Sequence, residues 1–280
     1  LAYLVLAPLA GCLLAGLDRI ATARMQRRKG PPLWQPYYDL RKLMGKQAAE
    51  INRFQGYYLA GFLCFTAGAG ALFFGGGDLL LVVFALTLGA IMLVMAAFSA
   101  HSPYAHLGAH RELLQMLAYE PMLILTALGL YLATHSFGVD EIMATAKAPV
   151  LVLPGVFVGY LFILTIKLRK SPFDLSSAHH AHQELVRGLT VEISGGHLAL
   201  VELAHWYENV LLLGILYLFL APFGWALALG GVAACYLLEI VVDNSSARLR
   251  WETALRSSWL VALILGGANI LLVPVLLKGW

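Results

Sequence analysis

The 280-residue sequence contains few charged residues and few cysteines. Only 12% of its residues are charged and 60% are hydrophobic, whereas about 25% are charged in an ordinary soluble domain. A soluble core cannot hide so much apolar surface, so the composition excludes an ordinary soluble protein. Cys12, Cys64 and Cys235 are isolated within apolar segments, without the paired spacing of a disulfide framework, a zinc site or an iron-sulfur cluster. If the protein takes part in electron transfer, other subunits carry the electrons.

Long hydrophobic segments dominate the sequence instead. Eight of them can cross a hydrocarbon core of about 30 Å, and they fall near residues 1–17, 57–75, 79–98, 113–134, 150–167, 198–220, 223–242 and 257–277. Very short connections at Gly75-Gly76-Gly77 and Ala221-Pro222 predict antiparallel neighbours. The predicted fold is all-α, a polytopic membrane protein of about eight transmembrane helices that forms a single domain over residues 1–280.

The positive charges predict the orientation in the membrane. Seventeen of the 19 lysines and arginines fall in or beside the connections near residues 18–56, 99–112, 168–197 and 243–256, and only Lys147 and Lys278 lie on the other side. Positively charged loops stay in the cytoplasm. The sequence therefore predicts a multi-pass protein of the inner membrane, with its N-terminus outside and its large loops cytoplasmic. Because the net charge of +3 arises from this asymmetry, nucleic-acid binding is a poor interpretation.

The first of these loops contains a second helical pattern. Leu33, Tyr37, Leu40 and Met44 recur at helical spacing with charged residues between them, after Pro31-Pro32. This pattern predicts an amphipathic helix that lies in the membrane surface. A loop with a chance apolar stripe is the alternative.

Charged side chains inside the predicted spans are candidates for function. Each costs at least about 2.5–3.5 kcal/mol at the bilayer centre, yet the chain has Glu112 and Glu120 on helix four, a row of three on helix six and an i, i+4 pair on helix seven: Glu202, His205, Glu208, Glu239 and Asp243. Close carboxylates and histidines can hold and pass protons near neutral pH. A proton relay is favoured for the set, although any one of these residues could instead fix helix packing through a polar partner.

The loop after helix five adds further polar candidates, namely Asp174, His179, His180, His182, Glu184 and Glu192. Three histidines within four residues could bind a metal, as could the helical pair His106 and His110. No HExxH motif or cysteine completes a convincing set of ligands. Polar or protonic roles are therefore favoured, and no metal site is predicted.

Read in order, four motifs resemble a known family of membrane subunits. The first loop has a pattern of arginines, Gly-Pro, Gln-Pro and Asp-x-x-Lys-Leu at Arg24, Arg27, Arg28, Gly30-Pro31, Gln35-Pro36, Asp39 and Lys42-Leu43. The others are Gly108-Ala109, Arg111, Gln115 and Tyr119-Glu120; Pro172-Phe173-Asp174-Leu175 with Glu184-Leu185-Val186, Gly188, Glu192 and Ser194-Gly195; and Arg248, Arg250 and Trp259. Together they resemble the subunit that anchors the peripheral arm of respiratory complex I, over essentially the whole chain.

A departure from that family indicates one of its branches. In the quinone-reducing enzymes the Pro-Phe-Asp segment runs directly into clustered glutamates, whereas here residues 176–182 intervene and only Glu184 and Glu192 match. The segment from His179 to Glu184, followed by residues 204–209, resembles the energy-converting, membrane-bound nickel-iron hydrogenases of the Ech type. This puts quinone binding in doubt.

The resemblance implies a non-catalytic subunit of a ferredoxin-dependent, ion-translocating hydrogenase. It would anchor large and small hydrogenase subunits and a ferredoxin-like iron-sulfur subunit beside an antiporter-like membrane subunit; the iron-sulfur clusters and nickel-iron centre would lie in those partners. The intramembrane and loop residues above would couple the redox reaction to proton or sodium movement. The expected docking residues are Arg24, Arg27, Arg28, Asp39, Lys42, Arg111, Arg248 and Arg250. A quinone-binding subunit and a stand-alone secondary transporter remain the alternatives.

Overall fold

The computed structural model describes residues 2–47, 52–176 and 187–272, and it is helical throughout, apart from connecting loops and an isolated bridge between Asp78 and Gly138. The α-helices are α1 (Ala2–Met25), α2 (Gln35–Met44), α3 (Arg53–Phe74), α4 (Leu79–Phe98), α5 (Pro103–Thr134), α6 (Val139–Met143), α7 (Pro149–Val152), α8 (Pro154–Lys167), α9 (Gly195–Leu220), α10 (Trp225–Ser245) and α11 (Trp251–Val261). Helix α11 continues through a π-helical turn at Ala262–Gly267. Two 3₁₀ turns occur at Gly188–Thr190 and Ala221–Phe223.

The predicted membrane fold is confirmed. In the described part of the chain, seven helical segments are long and apolar enough to cross a membrane. The eighth predicted span, near residues 150–167, consists of the short helices α7 and α8 with a break at Leu153. Pro154 explains the break, because proline disfavours the helical conformation of the residue before it.

Several helices extend beyond the apolar segments that predicted them. Helix α1 continues to Met25 rather than residue 17, and α5 begins at Pro103 rather than 113. At about 1.5 Å per residue, α5 is roughly 48 Å long, which exceeds the hydrocarbon thickness. Hydropathy detects only the part of a helix that lies in lipid. Consequently Arg111 lies on a helix and not in the predicted loop at 99–112, and Glu112 lies on this helix as predicted.

The described residues group into two compact units. One comprises Leu1–Ala71, Ala85–Leu114 and Asp174–Val210, and the other comprises Leu72–Phe84, Gln115–Phe173 and Leu211–Trp280. We refer to them as unit 1 and unit 2. The single domain that the sequence predicts concerns the whole chain and stays a prediction.

In unit 1, the predicted surface helix is present as α2, which packs against α1. Leu40 is buried with Cys12, Ala199 and Trp206 in one apolar cluster. Tyr37 and Met44 of the predicted apolar stripe are 46% and 58% exposed, as expected for side chains that would contact lipid at the membrane surface. The buried face runs through Pro36 and Leu40 because that side of α2 lies against the long helices.

In unit 2, α8 packs against α10, α11 and the π-helical turn. The break before α8 is bridged by Asn269, whose Oδ1 accepts hydrogen bonds from the amides of Gly155 at 2.8 Å and Val156 at 3.1 Å. Its Nδ2 donates to the carbonyl of Val152 at 3.3 Å. One side chain therefore caps the start of α8 and the end of α7, which satisfies backbone groups that a break leaves without partners.

Candidate functional site

The first two residues of the Pro-Phe-Asp segment, Pro172 and Phe173, lie in unit 2 shortly after α8 and are fixed by polar contacts. The amide of Ser171 donates to Asp243 Oδ1 at 2.8 Å, and Lys170 Nζ lies 3.7 Å from Asp243 Oδ2. From the other side, the amide of Leu249 donates to the carbonyl of Pro172 at 3.1 Å. The end of α10 and the loop that follows it thus hold this segment in place.

Glu239 lies one helical turn before Asp243 on α10 and is only 3% exposed. The Thr165 side chain hydrogen-bonds to its carboxyl group. Its Oε2 atom is buried and has no hydrogen-bond partner among the described residues. A buried carboxyl that is only partly satisfied costs free energy, which is typical of functional positions within a membrane.

Two lysines of this region are almost fully buried. Lys167 is 7% and Lys170 is 5% exposed. The ammonium of Lys167 lies 4.4 Å from the centre of the Tyr119 ring, and that of Lys170 lies 5.8 Å from the centre of the Tyr236 ring. Lysine is almost never fully buried unless it is paired. Sequence reasoning missed both lysines because it counted them as exposed loop charges; their position within the five residues before Pro172 was the available signal.

Helix α5 contributes two predicted residues to unit 2. The Gln115 side-chain amide donates to the carbonyl of Phe173. Glu120 is half-buried, and its Oε1 atom is buried without a hydrogen-bond partner in the described part of the chain. Pro121 follows within the helix, so the carbonyl one turn earlier receives no intrahelical bond from it. Glu120 therefore lies at a locally weakened point of α5.

Of the two predicted arginines in the last loop, Arg248 is half-buried and Arg250 is exposed immediately before α11. The carbonyl of Arg250 accepts a hydrogen bond from the amide of Ala254, which is the first backbone hydrogen bond of α11. Arg250 is therefore accessible at the surface, whereas Arg248 is partly enclosed by the fold; a docking role for either stays a prediction.

In unit 1, a second polar cluster surrounds the start of α5. Glu112 is 6% exposed and accepts a short hydrogen bond from the Ser176 hydroxyl. Arg111 donates to the carbonyl of Leu175 at 3.4 Å, and Asp174 is 6% exposed. The structure thus brings together three residues that the sequence proposed separately, since Arg111 and Glu112 contact the segment that begins with Asp174.

A row of titratable residues follows on α9, also in unit 1. His205 Nδ1 lies 3.7 Å from Glu208 Oε2, and the His205 ring packs edge-on against Phe62. Glu208 is 7% exposed, and Glu202 is half-buried one turn before His205. Glu192 is half-buried just after the 3₁₀ turn. The predicted stepwise arrangement on α9 is therefore observed, with one direct His–Glu contact.

The first loop of unit 1 contains a concave basic surface. Arg24, Arg27, Arg28, Lys29 and Gly30 line a cavity of about 600 Å³ at the end of α1. The chain turns sharply here, because Arg27 has a φ of 57° and the amide of Arg28 bonds back to the carbonyl of Ala23. Three of the predicted docking residues thus surround one positively charged recess.

Asp39 and Lys42 follow that recess in the sequence and lie on α2. Arg19 donates to Asp39 at 2.6 Å and Gln35 donates at 2.9 Å. Burial acts to raise the pKa of Asp39, but these hydrogen bonds and the charges of Arg19 and Lys42 outweigh it, so that pKa is lowered. Asp39 therefore positions α2 on α1 in addition to any docking role, and Lys42 is exposed.

The histidine positions give no ligand set in the described ranges. His106 and His110 both pack against the ring of Phe98, and His106 Nε2 bonds to the carbonyl of Ala100 at 2.8 Å. Across residues 2–47, 52–176 and 187–272, no group of three or more His, Cys, Asp or Glu is placed to hold a metal. His179, His180, His182 and Glu184 lie outside the described residues.

Chemically, both units offer buried carboxyls beside groups that can change their protonation. Unit 2 has Glu239 and Asp243 with a lysine, and unit 1 has Glu112 with a serine and Glu208 with a histidine. Such pairs can hold and transfer protons, so the arrangement suits charge movement.

Comparison with known proteins defines the class of this chain. The sequence profile of the NADH dehydrogenase family matches residues 1–274. The match spans nearly the whole chain, so the protein belongs to this family of membrane subunits.

Three individual proteins are similar to this chain over most of their length. The chain is 32% identical to Hydrogenase-4 component C of Escherichia coli over 82% of its own length and 76% of that protein. It is 27% identical to formate hydrogenlyase subunit 4 of the same organism, over 88% and 89%. A subunit of the NADH-quinone oxidoreductase of Dehalococcoides mccartyi is also 27% identical, over 91% and 79%.

A solved structure is similar over 96% of both chains. It belongs to the membrane-bound sulfane sulfur reductase, an archaeal respiratory membrane complex, with a TM-score of 0.84 and 25% sequence identity. The relatives are membrane subunits of oxidoreductase complexes, and this chain has the same architecture.

Proposed function

We propose that this chain is the membrane subunit of an energy-converting hydrogenase complex, where it anchors a peripheral nickel-iron arm and couples its reaction to proton or sodium translocation. The similarity to Hydrogenase-4 component C over most of the chain carries the proposal. The buried carboxyls and lysines described above supply a physical basis for coupling. The chain itself makes no bonds in the redox reaction; the iron-sulfur clusters and the nickel-iron centre belong to partner subunits.

The cytoplasmic face is the proposed docking platform. Its basic recess at Arg24, Arg27 and Arg28 complements an acidic surface of a soluble subunit. Arg250 extends from the last loop, and Arg111 holds the start of the segment after Phe173. The positive-inside rule supports a cytoplasmic location for this basic side and an inner-membrane location for the protein.

Coupling requires that the peripheral reaction change the relative free energy of two states of this interface. The Pro-Phe-Asp segment is suited to transmit such a change, because its backbone is bonded to Asp243, Leu249 and Gln115. Moving one charge against 100 mV requires about 2.3 kcal/mol. A shift of one buried ion pair can supply energies of this order.

A quinone-binding subunit is the second candidate, since the NADH-quinone oxidoreductase subunit of Dehalococcoides mccartyi is also similar. Its quinone chamber is expected between α1, α9 and α2. In the structure these helices pack directly, and Trp206, Cys12 and Leu40 share one buried cluster. Direct packing at this position favours the hydrogenase proposal.

A stand-alone transporter is a weaker candidate. Such proteins have broken helices near the middle of the membrane, and none is expected from the hydropathy pattern. The structure corrects that expectation, because a break separates α7 from α8. The break at Leu153 lies near one end of the predicted span at 150–167, which differs from a substrate site at the membrane centre.

Assembly provides the first test. Gentle detergent extraction of an affinity-tagged chain should bring soluble nickel-iron and iron-sulfur subunits with it, and the isolated chain should show no hydrogenase activity. Stoichiometric quinone in the purified complex, with no nickel-iron subunit, would support the second candidate instead. Purification of the chain alone with transport activity would support the third.

Coupling provides the second test. Glu120, Glu192 and Glu202 are changed singly to glutamine, which keeps the volume but cannot titrate, and exposed Glu252 is changed as a matched control. At least one of the three variants should abolish ion uptake into proteoliposomes while the complex assembles and evolves hydrogen from an artificial donor. The control should pump normally. Normal pumping by all three variants would contradict the relay and leave only anchoring.

A further inference from the structure

Lys170 occupies an unusual position for a lysine, because it is buried beside two carboxyls of one helix. Its ammonium lies 3.7 Å from Asp243 Oδ2, and Glu239 lies one turn away on the same face of α10. Asp243 has a second partner in the Ser171 amide. The negative charge of Asp243 therefore keeps a hydrogen bond even when the ammonium moves.

The carboxyl group of Glu239, unlike that of Asp243, is only partly hydrogen-bonded. One buried oxygen has no hydrogen-bond partner in the described part of the chain, although Thr165 bonds to the carboxyl. The charged groups that act on Glu239 are Lys170 and Asp243, and its other titratable neighbours are Tyr160 and Cys235. The ammonium of Lys170 is thus the positive group that can stabilise an ionised Glu239 from within unit 2.

We propose that Lys170 is a movable counter-ion that links the position of the Pro-Phe-Asp segment to proton release from Glu239. This inference rests on the proposed function and assigns a coupling role to a residue outside the carboxylate relay. With the ammonium at Asp243, Glu239 keeps its proton. When the ammonium moves toward Glu239, the O–H bond of that carboxyl breaks and the proton passes to a water molecule or the next carboxylate.

The covalent structure of Lys170 and the electron count stay unchanged in this step. The flexible four-carbon side chain of lysine allows such a movement, and the i, i+4 carboxyls lie within reach of one ammonium. The movement of the ammonium is driven by the segment itself, since the carbonyls of Phe173 and Pro172 accept hydrogen bonds from Gln115 and Leu249. A displacement of these partners moves Lys170 relative to α10.

The test compares Lys170→Met, which removes the charge, with Lys170→Arg, which keeps it. The exposed Lys147→Met is the matched control. The readout is ion uptake per hydrogen evolved in proteoliposomes that contain the assembled complex. A nearby opposite charge changes the proton affinity of a carboxyl by about ten- to a thousandfold. Lys170→Met should therefore lower this ratio at least about tenfold, whereas Lys170→Arg should keep most of it.

A double variant separates coupling from simple pairing. Lys170→Met leaves Asp243 as a partly buried charge and can impair folding, so Lys170→Met/Asp243→Asn removes both charges. If Lys170 only neutralises Asp243, the double variant should pump as well as Asp243→Asn alone, and the proposal is wrong. If Lys170 serves Glu239, the double variant should assemble but pump less than Asp243→Asn alone. Normal pumping by Lys170→Met alone, or equal loss in Lys170→Arg, would also overturn the proposal.

Infrared spectroscopy of the purified complex gives a readout that does not depend on pumping. Titration with pH should show the carbonyl stretch of a protonated carboxyl that disappears in Glu239→Gln. In Lys170→Met this band should persist to higher pH than in the wild type, since the counter-ion is lost. An unchanged titration would overturn the role of Lys170. A wild-type complex without ion uptake would instead contradict the proposed function.

Discussion

Replacement of Asn269 should destabilise the fold of unit 2 far more than its single side chain suggests. Three hydrogen bonds depend on this residue, two to the first amides of α8 and one from its Nδ2 to the last carbonyl of α7. Leucine has a similar volume and forms none of them. The variant Asn269→Leu therefore tests the hydrogen bonds without opening a large cavity.

The magnitude follows from the three bonds. Side-chain hydrogen bonds within membrane proteins contribute about 0.6 kcal/mol each and up to about 1.7, and the loss of a helix cap costs about 0.5–2 kcal/mol. Asn269 is only 8% exposed, so water does not readily replace its bonds. We expect Asn269→Leu to lower the free energy of unfolding by about 2–4 kcal/mol.

Two measurements check this expectation. Reversible unfolding in mixed detergent micelles gives the change in free energy, and hydrogen exchange reports the amides of Gly155 and Val156 directly. Those amides should exchange about 30-fold faster or more, which corresponds to a local loss of at least about 2 kcal/mol. The matched control is Asn209→Leu, since half-buried Asn209 makes no side-chain hydrogen bond to the described residues. A cost below about 0.5 kcal/mol for Asn269→Leu would refute the bridging role.

Three further predictions concern unit 1 and the membrane orientation. A Cβ on Gly11 would lie 2.5 Å from Trp206 Cβ, so Gly11→Ala should cost about 1–3 kcal/mol of unfolding free energy, whereas Gly68→Ala, which has open space, should be nearly neutral. The pKa of Asp39 is lowered in the folded protein. Its contribution to the free energy of unfolding is therefore present above the unfolded pKa of about 3.9 and is lost as the pH falls through the lower folded pKa. The stability difference between wild type and Asp39→Asn, about 0.2–1 kcal/mol for an exposed pair, should vanish over that pH range. Single cysteines introduced at Gly76 and Lys147 should react with an impermeant thiol reagent from outside the cell. Those introduced at Arg41, Arg169 and Arg250 should react only from the cytoplasmic side. Strong labelling of position 41 from outside in intact cells would contradict the orientation.

The sequence predicted the number and order of the membrane helices because hydropathy measures the property that places a helix in lipid. It could not predict their polar ends, where Arg24 and Arg111 continue a helix beyond the apolar segment. Backbone hydrogen bonding extends a helix into the aqueous region without any hydropathy signal. The break at Leu153 was missed for a related reason, since its stabilisation depends on Asn269, more than 100 residues later in the chain.

The candidate site was predicted as a list of residues but not as a set of contacts. Glu239 and Asp243 followed from the cost of charge in a membrane, whereas their partner Lys170 looked like one of many loop lysines. Only the tertiary structure shows that the chain after α8 turns back and buries that ammonium. The pairing of Glu112 with Ser176 was equally inaccessible, because the two residues are 64 positions apart.

The hydrogen bond from the amide of Leu189 to the carbonyl of Ser176 closes a ring of the chain in unit 1. Gly108 lies against the backbone of Leu189 and leaves no room for a side chain between α5 and this closure. Ser176 and Leu189 are therefore held at a fixed separation directly against the backbone of α5. A side chain at position 108 would push this pair of residues away from the helix, so the glycine determines how closely the chain after Phe173 can approach α5.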